Sequence, residues 1–150
     1  MSASIQYQKL TLSDLPALQA LISLYEDVFE MQPCPLPGRG YLQKLLQREG
    51  LVFFVALQGE EVVGGLTAHV LPSVYYESAE LYIYDLAVKA AYQRQGIGKQ
   101  LVTALIDYGK QQGYREVFVQ ADVIDQHALD FYKATGGNPE EVVHFTYPLA

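Results

Sequence analysis

Polar and apolar residues alternate with period two over residues 5–10, Ile5-Gln6-Tyr7-Gln8-Lys9-Leu10, which predicts a first strand. Apolar positions then recur at helical spacing at Leu15, Leu18, Leu21, Ile22 and Tyr25. They predict a helix running to about Phe29, with Ser13 and Pro16 marking its start. Pro33, Pro35, Pro37 and Gly38 break the chain into a loop, and a second short helix is expected over 41–47. A continuous apolar run at 51–57 reads as a strand, and Gln58-Gly59-Glu60-Glu61 as a hairpin turn. Residues 62–71 return antiparallel, with Gly64-Gly65 as the place for a bulge and Pro72 as the end. A strand over 80–88, a helix over 96–112 closed by Gly113, and a strand over 116–121 follow. Asp125 caps a helix reaching Thr135, and Gly136-Gly137-Asn138-Pro139 turns the chain into a last strand, 142–147. The order β-α-α-β-β-β-α-β-α-β predicts an α/β fold, a mixed sheet with helices on its faces.

At 150 residues the chain is expected to form one domain, 1–150, with a sizeable core. Half the residues are hydrophobic and 18% are charged, a globular rather than a disordered composition. No apolar stretch approaches about 20 residues, so no membrane span is expected. Met1-Ser2-Ala3-Ser4-Ile5-Gln6 lacks the basic start of a signal peptide. Cys34 is the sole cysteine and has no internal disulfide partner, which fits a reducing, cytoplasmic location. Ten basic residues against 17 acidic ones give a charge of -7, which disfavours nucleic acid as a partner. A cationic partner is compatible with this excess. Acidic surfaces also simply keep proteins soluble, so charge alone selects nothing.

One locus carries more chemistry than the rest. Gln93-Arg94-Gln95-Gly96-Ile97-Gly98 and Lys99 lie between a predicted strand and a predicted helix. Two glycines beside cations let backbone N–H groups close around a phosphate at a helix N-terminus. The spacing matches neither the nucleotide P-loop nor the dinucleotide fingerprint. It resembles the acetyl-CoA pyrophosphate loop of the GNAT N-acetyltransferase superfamily: Arg or Gln, two residues, Gly, one residue, then Gly or Ala. The resemblance implies a mixed, mostly antiparallel sheet with a splayed parallel pair and helices on both faces. It implies acetyl-CoA as co-substrate, with Gln93, Arg94, Gln95, Gly96, Ile97, Gly98 and Lys99 at its pyrophosphate. In that superfamily the preceding strand frees main chain for the acetyl carbonyl and the pantetheine arm. The matching positions are Leu86, Ala87 and Val88, in an oxyanion-type role. Within this strand, period two places Glu80, Tyr82 and Tyr84 on one face and Leu81, Ile83 and Asp85 on the other, unless a bulge shifts the register.

Further on, Ala128, Phe131, Tyr132 and Gly136 match a second superfamily pattern, while Asp125 replaces its Asn and Gly137 its aromatic or aliphatic residue. The resemblance implies that Tyr132 lies near the CoA sulfur and protonates the departing thiolate. Asp125 falls at a cofactor-contacting position, although a carboxylate cannot donate as an amide does. His69, His127 and His144 lack metal-ligand spacing, so no metal is expected and all three read as structural or surface residues.

Residues 62–72, 80–88, 119–122 and 140–145 are similar to the aminoglycoside 3-N-acetyltransferases. That likeness implies transfer of acetyl to an aminoglycoside, at the 3-amino group, giving antibiotic resistance. An aminoglycoside is a polycation whose ammonium groups gain from nearby carboxylates. Asp85, Asp122, Glu140 and Glu141, at strand ends or in the final turn, are the expected walls of the acceptor cleft, with Tyr84 facing the same opening. Attack requires a neutral amine, so a carboxylate is expected as base: Asp85 first, because it adjoins the acetyl-binding main chain, then Glu80 and Asp122. Alternatives are a polyamine or protein amine as acceptor, or a non-catalytic acyl-CoA-binding module. Many relatives pair as homodimers, for which the tyrosine-rich strands offer a surface.

Overall fold

The computed structural model describes residues 4–32 and 34–150. The N-terminal reading of residues 1–3 and the loop role of Pro33 lie outside the described residues. Strand β1 (Ile5–Lys9) runs antiparallel to β2 (Leu51–Gln58), and helices α1 (Leu15–Val28) and α2 (Arg39–Gln47) connect them. Pro16 occupies the first turn of α1, where its missing N–H breaks no helical bond. Asp14 rather than Ser13 holds the N-cap position, and its carboxylate accepts from the Thr11 backbone N–H at 2.7 Å.

The turn after β2 is tight because Gly59 takes the left-handed conformation, with φ 61°. β3 (Glu61–Pro72) returns antiparallel and ends at Pro72 as expected. β4 (Ala79–Val88) pairs antiparallel with β3, and β5 (Val117–Val119) pairs parallel with β4. The sheet order is therefore β1-β2-β3-β4-β5. A short 3₁₀ turn, Ala90–Tyr92, precedes helix α3 (Ile97–Gln112), which Gly113 closes with φ 75°.

Helices cover both faces of this sheet, and adjacent glycines allow it. A side chain at Gly65 would run into Leu21 of α1 and lie 2.9 Å from the Phe54 carbonyl. One at Gly64 would lie 3.3 Å from Ile97 Cγ2 of α3, on the opposite face. The bulge expected at Gly64-Gly65 falls instead at Val63, since Ala56 pairs with Gly64 and Leu57 with Val62. Beneath α1 and α2, buried Leu18, Leu21, Leu42 and Val55 share one apolar cluster. Leu81 packs toward Gly109 of α3 on the other side.

The chain divides into two compact units, Met1–Gln120 and Ala121–Ala150. The second holds α4 (Gln126–Ala134), whose N-terminus is capped as expected by Asp125, accepting from Ala128 N–H at 3.1 Å. Two expected strands are corrected. The strand expected over 116–121 contracts to Val117–Val119. The last strand, expected over 142–147, does not form, and Val142, Phe145 and Tyr147 are 63%, 77% and 85% exposed. Alternation supplies one apolar face, but a strand also needs a neighbour for its main chain, and none pairs with this segment among the described residues.

Candidate functional site

In the loop after β4, Arg94 (φ 63°) and Gly96 (φ 80°) both take left-handed conformations, the kind of turn from which anion-binding main-chain concavities are made. Gly96 is the N-cap of α3, and the first-turn amides of that helix have no intrahelical partners. Ile97 is buried and anchors the turn, while Gln93, Arg94, Gln95, Gly96 and Lys99 are exposed. Gln93 folds back so that its Nε2 donates to the Val88 carbonyl at 2.9 Å, and Tyr92 donates its hydroxyl to Gln58. Oriented amides, a helix N-terminus and the cations Arg94 and Lys99 fit a pyrophosphate.

Next to this loop, one edge of β4 is open. β5 pairs only with Leu81, Tyr82 and Ile83, so residues 84–88 have no strand partner on that side among the described residues. Their other edge is held by β3, with Leu86 opposite Leu66, Ala87 opposite Gly65 and Val88 opposite Gly64. This is the splayed parallel pair, and it sets Leu86, Ala87 and Val88 along the open edge beside the loop.

Asp85 reaches its place through a bulge. Thr67 pairs with Asp85 but Ala68 pairs with Ile83, so Tyr84 is the extra residue. The strict alternation expected for the strand is thereby corrected: Asp85 leaves the face of Leu81 and Ile83 and joins that of Glu80 and Tyr82. On that face Thr67, a buried polar residue within the core, shares a 2.9 Å hydrogen bond with the Tyr25 hydroxyl from α1. Burial raises the Asp85 carboxyl above its ordinary range, opposed by the polarity of the facing Thr67 and by the His69 ring. A half-buried carboxylate with a raised pKa beside an open strand edge is suited to take a proton from an ammonium group.

An aromatic surface continues from it. Tyr84 is 65% exposed and meets His69 edge-on at 5.6 Å, and Tyr82 stacks on Phe118 at 4.8 Å. Tyr82 also donates to Gln120 at 3.1 Å. Glu80 lies on the same face, roughly 15 Å of strand from Asp85. Its carboxylate accepts from Tyr76 at 3.1 Å. Sequence reasoning missed Tyr25, Thr67 and His69 as neighbours of Asp85. The available signal was Thr67 itself, a polar residue inside an apolar strand.

The second unit carries the remaining candidates. Tyr132 lies on α4, edge-on to Phe131 at 5.1 Å. Its hydroxyl is pushed up to about 12 by burial and then by the Asp125 charge. Its carbonyl accepts from Thr135 Oγ1 and from Gly137 N–H, both at 2.9 Å, which closes the helix. One Asp125 oxygen is engaged in capping α4. Asp122 accepts the Asp125 N–H through its own carbonyl at 2.9 Å, and its side chain is exposed, as are Glu140 and Glu141.

A model of the acetyltransferase (GNAT) family matches residues 18–136, through both units. This chain belongs to the GNAT family. GNAT enzymes use acetyl-CoA, so the loop's fit to a pyrophosphate has a family counterpart. Human N-acetyltransferase 8 is 32% identical over 91 residues, 61% of this chain but 40% of that protein. The chain thus spans less than half of that relative. Among solved structures, the aminoglycoside acetyltransferase meta-AAC0020, from an uncultured soil metagenomic sample, is 48% identical over 97% of both chains, with a TM-score of 0.95. That protein was crystallised with trehalose and with sisomicin. A second soil aminoglycoside acetyltransferase, HMB0005, is 32% identical over 98% of this chain and 99% of its own, with a TM-score of 0.93.

Proposed function

We propose that this GNAT chain transfers the acetyl group of acetyl-CoA to an aminoglycoside amine, at the 3-amino group, and so confers resistance in the cytoplasm. The observation that carries this reading is the 48% identity to meta-AAC0020 over 97% of both chains. The acidic balance of the chain, -7 overall, suits a polycationic acceptor.

Acetyl-CoA supplies a thioester whose C–S bond breaks as the acceptor nitrogen bonds to the carbonyl carbon. Gln93 to Lys99 hold the pyrophosphate, and the main chain of Leu86, Ala87 and Val88 orients the pantetheine arm and polarises the carbonyl. Asp85 takes the proton that the attacking ammonium group must lose. Tyr132 gives its proton to the departing sulfur, a role its raised pKa keeps available at neutral pH. Tyr84, Asp122, Glu140 and Glu141 are assigned to the cationic acceptor, and Glu80 stands as the second base candidate. The protein is expected to act as a homodimer without a metal, and a strictly monomeric mass in light scattering would remove the dimer.

The test is thiol release from acetyl-CoA with gentamicin, sisomicin, spermidine, amino acids and peptides, followed by mass and NMR analysis of the product. Turnover on gentamicin with the acetyl on the 3-nitrogen is expected. No turnover on any aminoglycoside overturns the acceptor, and activity confined to spermidine or peptides moves it to a polyamine or a protein amine. Acetyl-CoA binding without turnover on any amine leaves a non-catalytic acyl-CoA-binding module.

A further inference from the structure

We propose that a row of aromatic rings across β3, β4 and β5, centred on Tyr82 and Tyr84, is the platform on which the acceptor lies. Its ammonium groups sit over ring faces, and its two ends meet Asp85 and Glu80. The proposal deepens the acceptor assignment and rests on that reading. It adds Tyr82 and Phe118 as specificity-determining residues for a cation of several charges.

Register and the bulge build the row. Tyr82 pairs with Phe118 across the parallel β4–β5 ladder and with His69 across the antiparallel β3–β4 ladder. Its ring stacks on Phe118 at 4.8 Å, with 7° between the planes. Tyr84 meets Tyr82 edge-on at 6.0 Å and His69 edge-on at 5.6 Å, so the bulged residue keeps to the face of Tyr82. The same bulge brings Asp85 onto that face, where strict alternation would have sent it to the other.

Both ends of the row are acidic. Asp85 follows Tyr84 directly, and Glu80 precedes Tyr82 by two residues on the same face. The Tyr76 hydroxyl donates to Glu80 at 3.1 Å and orients it. An ionised carboxylate offers about four lone-pair sites, so Glu80 keeps room for an ammonium group. The two carboxylates are separated by roughly 15 Å of strand, a span that calls for an acceptor carrying several amines.

The ring faces are available to such a ligand. Among the described residues, the cation–ring contacts are Lys9 over Tyr108 and Arg115 over Tyr76, and neither belongs to the row. Tyr84 is exposed, while Tyr82, Phe118 and His69 are half-buried. A cation over a ring face is attracted by the ring quadrupole, and more strongly where neighbouring surface displaces water. Tyr82 is held in advance by its stack and by donating to Gln120 at 3.1 Å, so binding orders little that was free.

The experiment measures kcat and KM for sisomicin and acetyl-CoA in the wild type, Tyr84→Leu, Tyr84→Phe, Tyr82→Leu and Tyr82→Phe. Sisomicin binding to the CoA-loaded protein is followed by calorimetry. The leucine variants remove a ring face and are expected to raise the sisomicin KM and Kd by about 5- to 30-fold. kcat and the acetyl-CoA KM move little, because the platform holds ground state and transition state alike. The phenylalanine variants keep the face and recover most of the loss. Tyr84 is exposed, so its variants report even where Tyr82→Leu does not fold. A sisomicin KM unmoved in Tyr84→Leu, or raised as far in Tyr84→Phe, overturns the platform. A wild type that neither binds nor acetylates sisomicin overturns the aminoglycoside assignment itself.

Discussion

Thr67 and Asp85 face one another across the β3–β4 ladder only because Tyr84 is bulged out between Ile83 and Asp85. Without that extra residue, Asp85 would share the face of Leu81 and Ile83, which are buried. The bulge turns a strand with a uniform core face into one that ends in a half-buried carboxylate beside an open main-chain edge.

Replacing Asp85 by Asn removes the proposed proton acceptor while preserving size. kcat is expected to fall by a factor of about 100 to 10,000. Acetyl-CoA affinity, measured by calorimetry, stays near wild type, because the pyrophosphate loop is untouched. Undiminished kcat would transfer the role to Glu80 or to Asp122.

The raised pKa of Asp85 sets the sign of the pH dependence. The working form is the carboxylate, so kcat/KM is lost as pH falls through the folded-state pKa. The midpoint lies above the usual carboxylate value of about 4. A pH profile in the wild type should show this limb, and Asp85→Asn should lack it.

Tyr132→Phe removes a donor without disturbing the ring. kcat is expected to fall by a factor of about 100 or more, with KM for acetyl-CoA little changed. Because burial pushes the hydroxyl up to about 12, Tyr132 stays protonated below that pH. An assay extended to about pH 10, the ordinary tyrosine pKa, should therefore show no alkaline loss attributable to this residue. Wild-type turnover in the variant would return Tyr132 to a packing role.

Gly96→Val places a β-branched residue at φ 80°, a strain of about 1–2 kcal/mol, on the surface where a phosphate would approach. Acetyl-CoA binding is expected to be lost while the protein still unfolds cooperatively. Unchanged affinity would count directly against the loop assignment.

Gly65→Ala tests the fold rather than the chemistry. The new methyl would crowd the Leu21 side chain and lie 2.9 Å from the Phe54 carbonyl, so the Leu21 rotamer and the β2–β3 ladder must give. Overpacking of this kind costs about 1–3 kcal/mol, readable as a lower denaturant midpoint.

Most of the fold is legible along the chain because its signals are local. The run at 51–57, the Gly59 turn, Pro72 and Gly113 each act through neighbouring backbone, and the structure follows them. The pyrophosphate loop is legible for the same reason: strand, left-handed turn and helix start lie within a few residues of one another. The segment 142–147 shows the limit, since period two predicts a strand but cannot supply its partner.

The order of residues alone sets where chemistry-bearing groups enter the fold: the loop 93–99, the carboxylate Asp85 and the hydroxyl of Tyr132. Through Gly64 and Gly65 it also lets backbone be approached closely on both faces of β3. Which way Asp85 points, and which residues surround it, follow only from the folded arrangement. The register shift at Tyr84 depends on how β4 pairs with β3, and Tyr25 is 42 residues from Thr67 along the chain. Long-range pairing and helix packing set those relationships, and no pattern within one segment encodes them.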